Sequence, residues 1–146
     1  MLVNGRTWMD LQGLDRGEQD DITKTLSRLD GKKLYSLLLW KLPPGKSLDE
    51  TSPKKDADEY IQCAGSDEHI TVEVRRRRGS SYEHFVVGRA SDRGDPGTKV
   101  TIQWDSAETV VAPHEVLSAA EAAELFLSYY RTGWVPPKYA LRPLSP

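Results

Sequence analysis

The sequence is poor in cysteine and has no long apolar run. Cys63 is the single cysteine among 146 residues, so the chain cannot form an internal disulfide, which fits a reducing compartment. The longest apolar run, Leu-Leu-Leu-Trp at 37–40, is far shorter than the ~20 residues that a membrane-spanning helix needs. The N-terminal residues lack the apolar segment of a secretion signal. These absences predict a cytoplasmic protein with no membrane association.

An excess of charge of one sign is also missing. The chain has 20 basic and 22 acidic residues and a formal net charge of -2, which gives no general attraction to nucleic acid or anionic lipid. The sequence contains no phosphate-binding glycine loop, no nucleophile elbow, no zinc-protease motif and no zinc-deaminase signature. We therefore expect a binding protein rather than an enzyme, with no cofactor and no direct binding of nucleic acid.

What is present fits one folded domain spanning 1–146. Hydrophobic residues make up 38% of the chain and charged residues 29%, which is enough apolar surface to form a core at this length.

Two segments have helical periodicity. In 16–30, Ile22, Leu26 and Leu29 recur at helical spacing, which predicts a helix with one apolar face. At the other end of the chain, Pro113 suits the first turn of a helix and Gly133 suits its end, with an alanine-rich apolar stripe between them. The breadth of that stripe predicts a helix that packs closely against a sheet.

Between these helices the pattern is that of antiparallel strands. Segment 34–42 is rich in Leu, Tyr and Trp, as in a strand buried on both faces. Segments 60–64 and 69–76 flank a Gly-Ser-Asp-Glu turn, and 82–89 follows a Gly-Ser-Ser turn, as in consecutive hairpins. Further short strands are predicted at 100–104, 108–111 and 139–141. The predicted fold is α+β, a mainly antiparallel sheet of about 5–6 strands with an N-terminal and a C-terminal helix packed on one face.

Two polar loops, 43–58 and 91–97, interrupt the strands. The first holds three prolines, and a loop of that length is commonly mobile or functional. Acidic clusters in such loops suit docking onto a basic protein. The loop residues that we predict to contact a partner are Asp49, Glu50, Asp56, Asp58, Asp92 and Asp95.

Few side chains point to catalysis or metal binding. His69 and His84 could meet across neighbouring strands, but a metal site would need further ligands at a recognisable spacing. A lone cysteine within a strand, such as Cys63, is typical of a small buried apolar residue. We therefore predict no catalytic residue and no metal site.

Four consecutive arginines, Arg75 to Arg78, are the sharpest charge feature. Such a run could bind phosphates, and Tyr60 and Tyr82 lie near it. In a strand, however, successive side chains point to opposite faces, so only half of the run can share one surface. A nucleic-acid-binding module therefore stays open as an alternative to partner contacts through Arg75 and Arg77.

The C-terminal segment has the most specific pattern in the chain. A proline-initiated, alanine-rich helix is followed by two aromatic residues, Thr-Gly, a proline and an apolar strand. The residues are Pro113, Ala119, Ala120, Ala123, Tyr129, Tyr130, Thr132, Gly133, Pro136 and Leu141. This pattern resembles the first-numbered Imm family of immunity proteins in bacterial polymorphic toxin systems, although the tryptophan that often ends the family's last strand is missing here.

The resemblance implies a non-enzymatic protein that binds and neutralises a cognate toxin domain, often a deaminase or nuclease. Acidic loops would then steer the inhibitor toward the toxin's basic substrate groove. A third possibility is a small-molecule-binding domain with a cleft between sheet and helix. The toxin's chemistry and the oligomeric state stay open at the level of sequence.

Overall fold

A computed structural model describes residues 1–3, 7–8, 16–66, 68–90 and 97–144. The strands are β1 (Leu2–Val3), β2 (Thr7–Trp8), β3 (Ser36–Leu39), β4 (Tyr60–Ser66), β5 (His69–Arg78), β6 (Ser81–Arg89), β7 (Val100–Trp104), β8 (Ala107–Val111) and β9 (Tyr139–Pro143). The α-helices are α1 (Arg16–Ser27), α2 (Pro53–Asp56) and α3 (Ala119–Thr132), and 3-10 turns cover Leu48–Glu50 and Pro113–Glu115. Among these described helices, none has the length and apolar character needed to cross a membrane.

The main sheet confirms the α+β class and the antiparallel arrangement. Its strands lie in the order β2-β1-β3-β4-β5-β6-β9, and every neighbouring pair is antiparallel. Side chains alternate along β5, so Val72 and Val74 lie on one side of the sheet and Glu73 and Arg75 on the other. We call the side of Val72 the inner side and the side of Arg75 the outer side.

The β7–β8 hairpin forms a separate two-stranded sheet, whereas the sequence predicted that these strands belong to the main sheet. Strand β7 contacts β4 and β5. Ile102 and Val111 of the hairpin pack with Val86, which lies opposite Glu73 on the outer side. The hairpin therefore covers part of the outer side, because it has apolar residues of its own to bury there.

The main core contains residues of α1, α3 and the sheet. Ile22 and Leu26 of α1 belong to the same buried cluster as Leu125 and Phe126 of α3. Burial of each such side chain contributes about 1.5–3 kcal/mol to the free energy of unfolding. The strands add Leu37, Leu39, Ile61, Cys63, Ile70, Val72, Val74 and Val87. Cys63 is 3% exposed, which confirms its interpretation as a small buried residue, and this burial raises the pKa of its thiol to about 12.

The prediction that Pro113 starts the C-terminal helix is wrong. The chain first makes a 3-10 turn, and Leu117 then exchanges backbone hydrogen bonds of 2.8 and 2.9 Å with Ile70 of β5. Ser118 is the N-cap of α3: its hydroxyl accepts from the amide of Glu121 at 3.2 Å, and the Glu121 carboxylate accepts from the amide of Ser118 at 3.1 Å. This capping box stabilises the observed start of the helix.

The end of the helix and the closing strand agree with the sequence. Gly133 has φ 78°, in the left-handed region, and its amide donates to the carbonyl of Tyr129. Glycine adopts this conformation without a steric penalty. Strand β9 then pairs with β6 and places Leu141 opposite Val87.

Candidate binding groove

An open groove of about 460 Å³ crosses the outer side of the sheet. Tyr60 of β4 lies opposite Arg75 of β5, and Tyr82 of β6 lies opposite Arg77. Because paired residues in antiparallel strands share a side, Tyr60, Arg75 and Tyr82 converge. The groove is lined by Leu38, Ala57, Asp58, Tyr60, Gln62, Arg75 and Tyr82.

Two tyrosines flank the Arg75 side chain. Its guanidinium lies 4.3 Å from the centre of the Tyr82 ring, a cation–π contact worth about 0.5–1 kcal/mol at an exposed site. Tyr60 lies opposite Arg75 on the other flank; burial raises the pKa of the Tyr60 hydroxyl, and the nearby Arg75 charge offsets part of that rise. Tyr82 is 42% exposed, so an aromatic ring and a cation are presented together to a partner.

The two charges that line this groove, Arg75 and Asp58, have no internal ion pair. Among the described residues, no carboxylate oxygen lies within 4.0 Å of an Arg75 nitrogen, and no cationic nitrogen lies within 4.0 Å of an Asp58 carboxylate oxygen. Asp58 is exposed. Both charges can therefore meet groups of the opposite sign on a partner without first breaking an internal ion pair.

The other arginines of the run are used differently, as alternation along a strand predicts. Arg76 and Arg78 bind Glu83 at 2.6 and 3.1 Å, and the guanidinium of Arg76 lies 4.3 Å from the centre of the Trp134 ring. The hydrogen bond from Arg76 is the largest cause of the lowered pKa of Glu83. Arg77 is exposed, and its Nε donates to the carbonyl of Gly79 at 3.1 Å. Only half of the arginine run therefore faces the outer side.

Asp56, one of the predicted partner contacts, has a structural role in the loop. One carboxylate oxygen accepts from Nζ of Lys46 at 3.1 Å, and the other accepts from the amide of Ser52 at 2.8 Å. These two bonds, the amide first, lower the pKa of Asp56, and its side chain is only 12% exposed. Each oxygen therefore helps to hold the loop together, and a partner contact of Asp56 stays a prediction.

The other predicted acidic contacts differ in position. Asp49 and Glu50 are exposed on the 3-10 turn, where the Glu50 carboxylate accepts from the amide of Ser47 at 3.1 Å. Asp58 lines the groove itself. Asp92 and Asp95 lie outside the described residues.

A polar network adjoins the groove. One oxygen of the Glu73 carboxylate, Oε2, accepts from Nε2 of Gln62 at 2.6 Å and lies 2.9 Å from Nε2 of His84. The His84 ring meets the Tyr60 ring edge-on, with centres 5.9 Å apart. His69 is exposed at the start of β5. Across the described ranges, no group of three or more His, Cys, Asp and Glu residues could hold a metal ion.

Sequence reasoning found the charged members of the groove but not its shape. The alternation of Tyr60 and Gln62 in β4 and of Glu73 and Arg75 in β5 was a usable signal, because it places all four on one side. Leu38 shares that side because it lies opposite Gln62, whereas Ala57 had no such signal, since its position depends on how the 43–58 loop folds. In comparisons with known proteins, no family model, no curated protein and no solved structure matches the chain.

Proposed function

We propose that this protein is a protein-binding module whose partner docks on the groove, and that the partner is a toxin domain that it neutralises as an immunity protein. The observation that carries the binding proposal is the convergence of Tyr60, Arg75 and Tyr82. Tyrosine and arginine are enriched among the few residues that supply most of the free energy of binding at protein interfaces.

The contacts around Arg75 also favour tight binding. Ordering a long side chain at an interface costs about 0.5–1.5 kcal/mol. The Tyr82 ring already restricts Arg75, so less of that cost falls on binding. A guanidinium has five N–H donors, and these can bind a carboxylate of the partner.

The toxin as partner rests on the C-terminal resemblance and on the acidic surface. Gly133 and the closing strand keep their place in the resembling pattern, whereas Pro113 lies outside α3. Exposed Asp49, Glu50 and Asp58 would attract a basic toxin and raise the association rate at low salt. In this proposal the acidic residues mainly raise the association rate, and the contacts in the groove lengthen the lifetime of the complex.

The proposal further requires that α1 and α3 cover the inner side, which leaves the outer side for the partner. Support comes from the core cluster, in which Ile22 and Leu26 of α1 and Phe126 of α3 join the inner-side residues Val72 and Val74.

A co-expression rescue tests the function. The C-terminal domain of the product of the gene immediately upstream is expressed in a bacterium, with or without this protein. We expect survival and a co-purifying stoichiometric complex, and we expect Arg75→Ala and Tyr82→Ala to weaken both. Arg78→Ala is the matched control, because Arg78 is on the inner side and 70% exposed.

Two results would count against the proposal in different ways. Continued killing without a complex rejects that pair of proteins. Full rescue by both groove variants, at normal levels of folded protein, keeps the immunity function but rejects the groove as the docking surface.

Single-stranded nucleic acid is a second candidate because an arginine between two tyrosines also forms a platform on which bases can stack. Only two of the four arginines, Arg75 and Arg77, face the outer side, and the acidic Asp58 lines the same groove. Titration of a labelled oligonucleotide at two salt concentrations separates the candidates. The immunity proposal expects binding no tighter than ~100 µM, whereas tighter binding that weakens steeply with salt would favour nucleic acid.

A further inference from the structure

A second cavity, of about 200 Å³, lies between the outer side of the sheet and the β7–β8 hairpin. It is thus a cleft between sheet and hairpin, whereas the sequence suggested one between sheet and helix. Leu38 and Trp104 contribute apolar wall, while Thr71 and Glu73 contribute polar groups. A mostly apolar cavity with a few convergent polar groups is the usual form of a small-molecule site.

Two hydrogen-bond acceptors of this wall have capacity left. Thr71 is 4% exposed, and its hydroxyl has neither a hydrogen-bond partner among the described residues nor surface open to a water-sized group. Buried hydroxyls nearly always have a partner in native proteins. The bonds that Glu73 makes to Gln62 and His84 both use Oε2, so within the described chain Oε1 is left for a further donor.

The aromatic wall of the cavity is held in place. The Trp104 Nε1 donates to the hydroxyl of Thr109 at 3.1 Å, and the Trp104 ring stacks on Tyr35 with centres 6.0 Å apart. A wall fixed in this way needs little rearrangement to receive a ligand.

We propose that this cavity binds a small aromatic molecule of one or two fused rings that carries an N–H or O–H donor. The ring packs on Trp104 and Leu38, and the donor bonds to the Glu73 carboxylate. The size of the proposed ligand follows from the volume of the cavity, because an apolar cavity of ~150 Å³ holds benzene and this cavity is somewhat larger. The need for a donor follows because an ionised carboxylate only accepts hydrogen bonds. The cavity shares Leu38 and Gln62 with the groove, but this proposal does not rest on partner docking.

Indole is the probe, and 1-methylindole, which has the same rings without the donor, is its control. Each is titrated into the purified full chain while backbone and tryptophan side-chain amide signals are followed by NMR. We expect saturable shifts of Thr71 and of the Trp104 side chain with indole, and about fivefold weaker binding of 1-methylindole, the value of one hydrogen bond.

Two variants locate the site. Glu73→Gln keeps the shape but, with its oxygen still accepting from Gln62, places an amide NH2 where Oε1 was, and it should weaken indole about fivefold with 1-methylindole unchanged. Ala64→Leu fills the cavity, which Ala64 also lines, and should abolish binding of both probes. Arg78→Ala, on the inner side, should change neither.

The proposal is overturned if the wild-type chain shows no saturable shift up to ~5 mM indole, a concentration at which a ligand with a Kd of ~1 mM is mostly bound. It is also overturned if a folded Ala64→Leu variant binds indole as well as the wild type does. If Ala64→Leu does not fold, a bulkier residue at Thr109, Thr109→Phe, takes its place as the blocking variant.

Discussion

The two sides of β5 differ in what they contribute to the protein. On the inner side, Ile70, Val72 and Val74 are fully buried in the main core. On the outer side, Glu73 and Arg75 make hydrogen bonds and cation–π contacts around the groove and the cavity. Because neighbouring residues of one strand are used so differently, substitutions on the inner side should change stability, and those of exposed groove residues on the outer side should change binding.

The largest expected effect belongs to the inner side. Ile70→Ala removes a fully buried side chain and should lower the free energy of unfolding by about 2–5 kcal/mol. Arg77→Ala, an exposed outer-side change on the same strand, should stay within ~0.5 kcal/mol. Urea denaturation of both variants measures the difference, and equal effects would remove the distinction between the two sides.

A half-buried ion pair on the outer side also contributes to stability, with the Arg142 side chain 44% exposed. The Glu115 carboxylate, 1% exposed, accepts from Nε of Arg142 at 2.8 Å and from the amide of Ala112 at 2.8 Å. Glu115→Gln keeps the shape but removes the charge, and should cost about 1.5–3 kcal/mol at pH 7. Glu124→Gln, on an exposed position of α3, is the control. A loss below ~0.5 kcal/mol would show that the ion pair adds little.

The same pair predicts a pH dependence. Burial alone raises the pKa of Glu115, but bonds from Arg142 and Ala112 outweigh it, and the net pKa is below its ordinary value of 4.5. A carboxyl with a lowered folded pKa stabilises the protein above that ordinary value and loses this effect as the pH falls through the folded pKa. Between pH 6 and pH 3, the wild type should therefore lose more stability than Glu115→Gln. Equal losses would assign the effect to other carboxyls.

The start of α3 gives a smaller effect. Ser118→Ala removes the N-cap hydroxyl and should cost about 1 kcal/mol. Pro113→Ala should stay within ~0.5 kcal/mol, since Pro113 does not begin the helix. Thermal unfolding followed by circular dichroism measures the loss of stability of both variants. A larger loss for Pro113→Ala would support Pro113 as the start of the helix, as the sequence predicted.

The smallest effect has the opposite sign. Thr71→Val replaces a buried hydroxyl that lacks a partner among the described residues, so it should raise the free energy of unfolding by about 0.5–1 kcal/mol in the absence of any ligand. A loss of stability would show that the Thr71 hydroxyl is hydrogen-bonded in solution.

Local patterns predicted the parts of the fold that depend on neighbouring residues. Alternation placed Val72 and Arg75 on opposite sides of β5, and a glycine after the last apolar turn marked the end of α3 at Gly133. The predicted start of α3 was wrong, because Leu117 first pairs with Ile70, a residue distant in sequence. The Ser118 capping box was readable in the sequence and would have corrected it.

The candidate site was less predictable, for the same physical reason. Composition indicates that Asp56 is acidic and in a loop, but not that Lys46 and Ser52 use both of its oxygens. Likewise, hairpin spacing identifies β7 and β8, but not that Ile102 packs over the outer side rather than extending the sheet. Both outcomes depend on contacts between segments that are distant in sequence.

The most direct test of the central claim is the Kd of the complex with the upstream toxin domain, measured for the wild type and for Tyr82→Ala. Urea denaturation of both proteins accompanies it. The outer-side account predicts binding at least ~30-fold weaker for Tyr82→Ala, as for a dominant interface residue, with the free energy of unfolding unchanged. A Kd within threefold of the wild type, in an equally stable variant, would contradict the account.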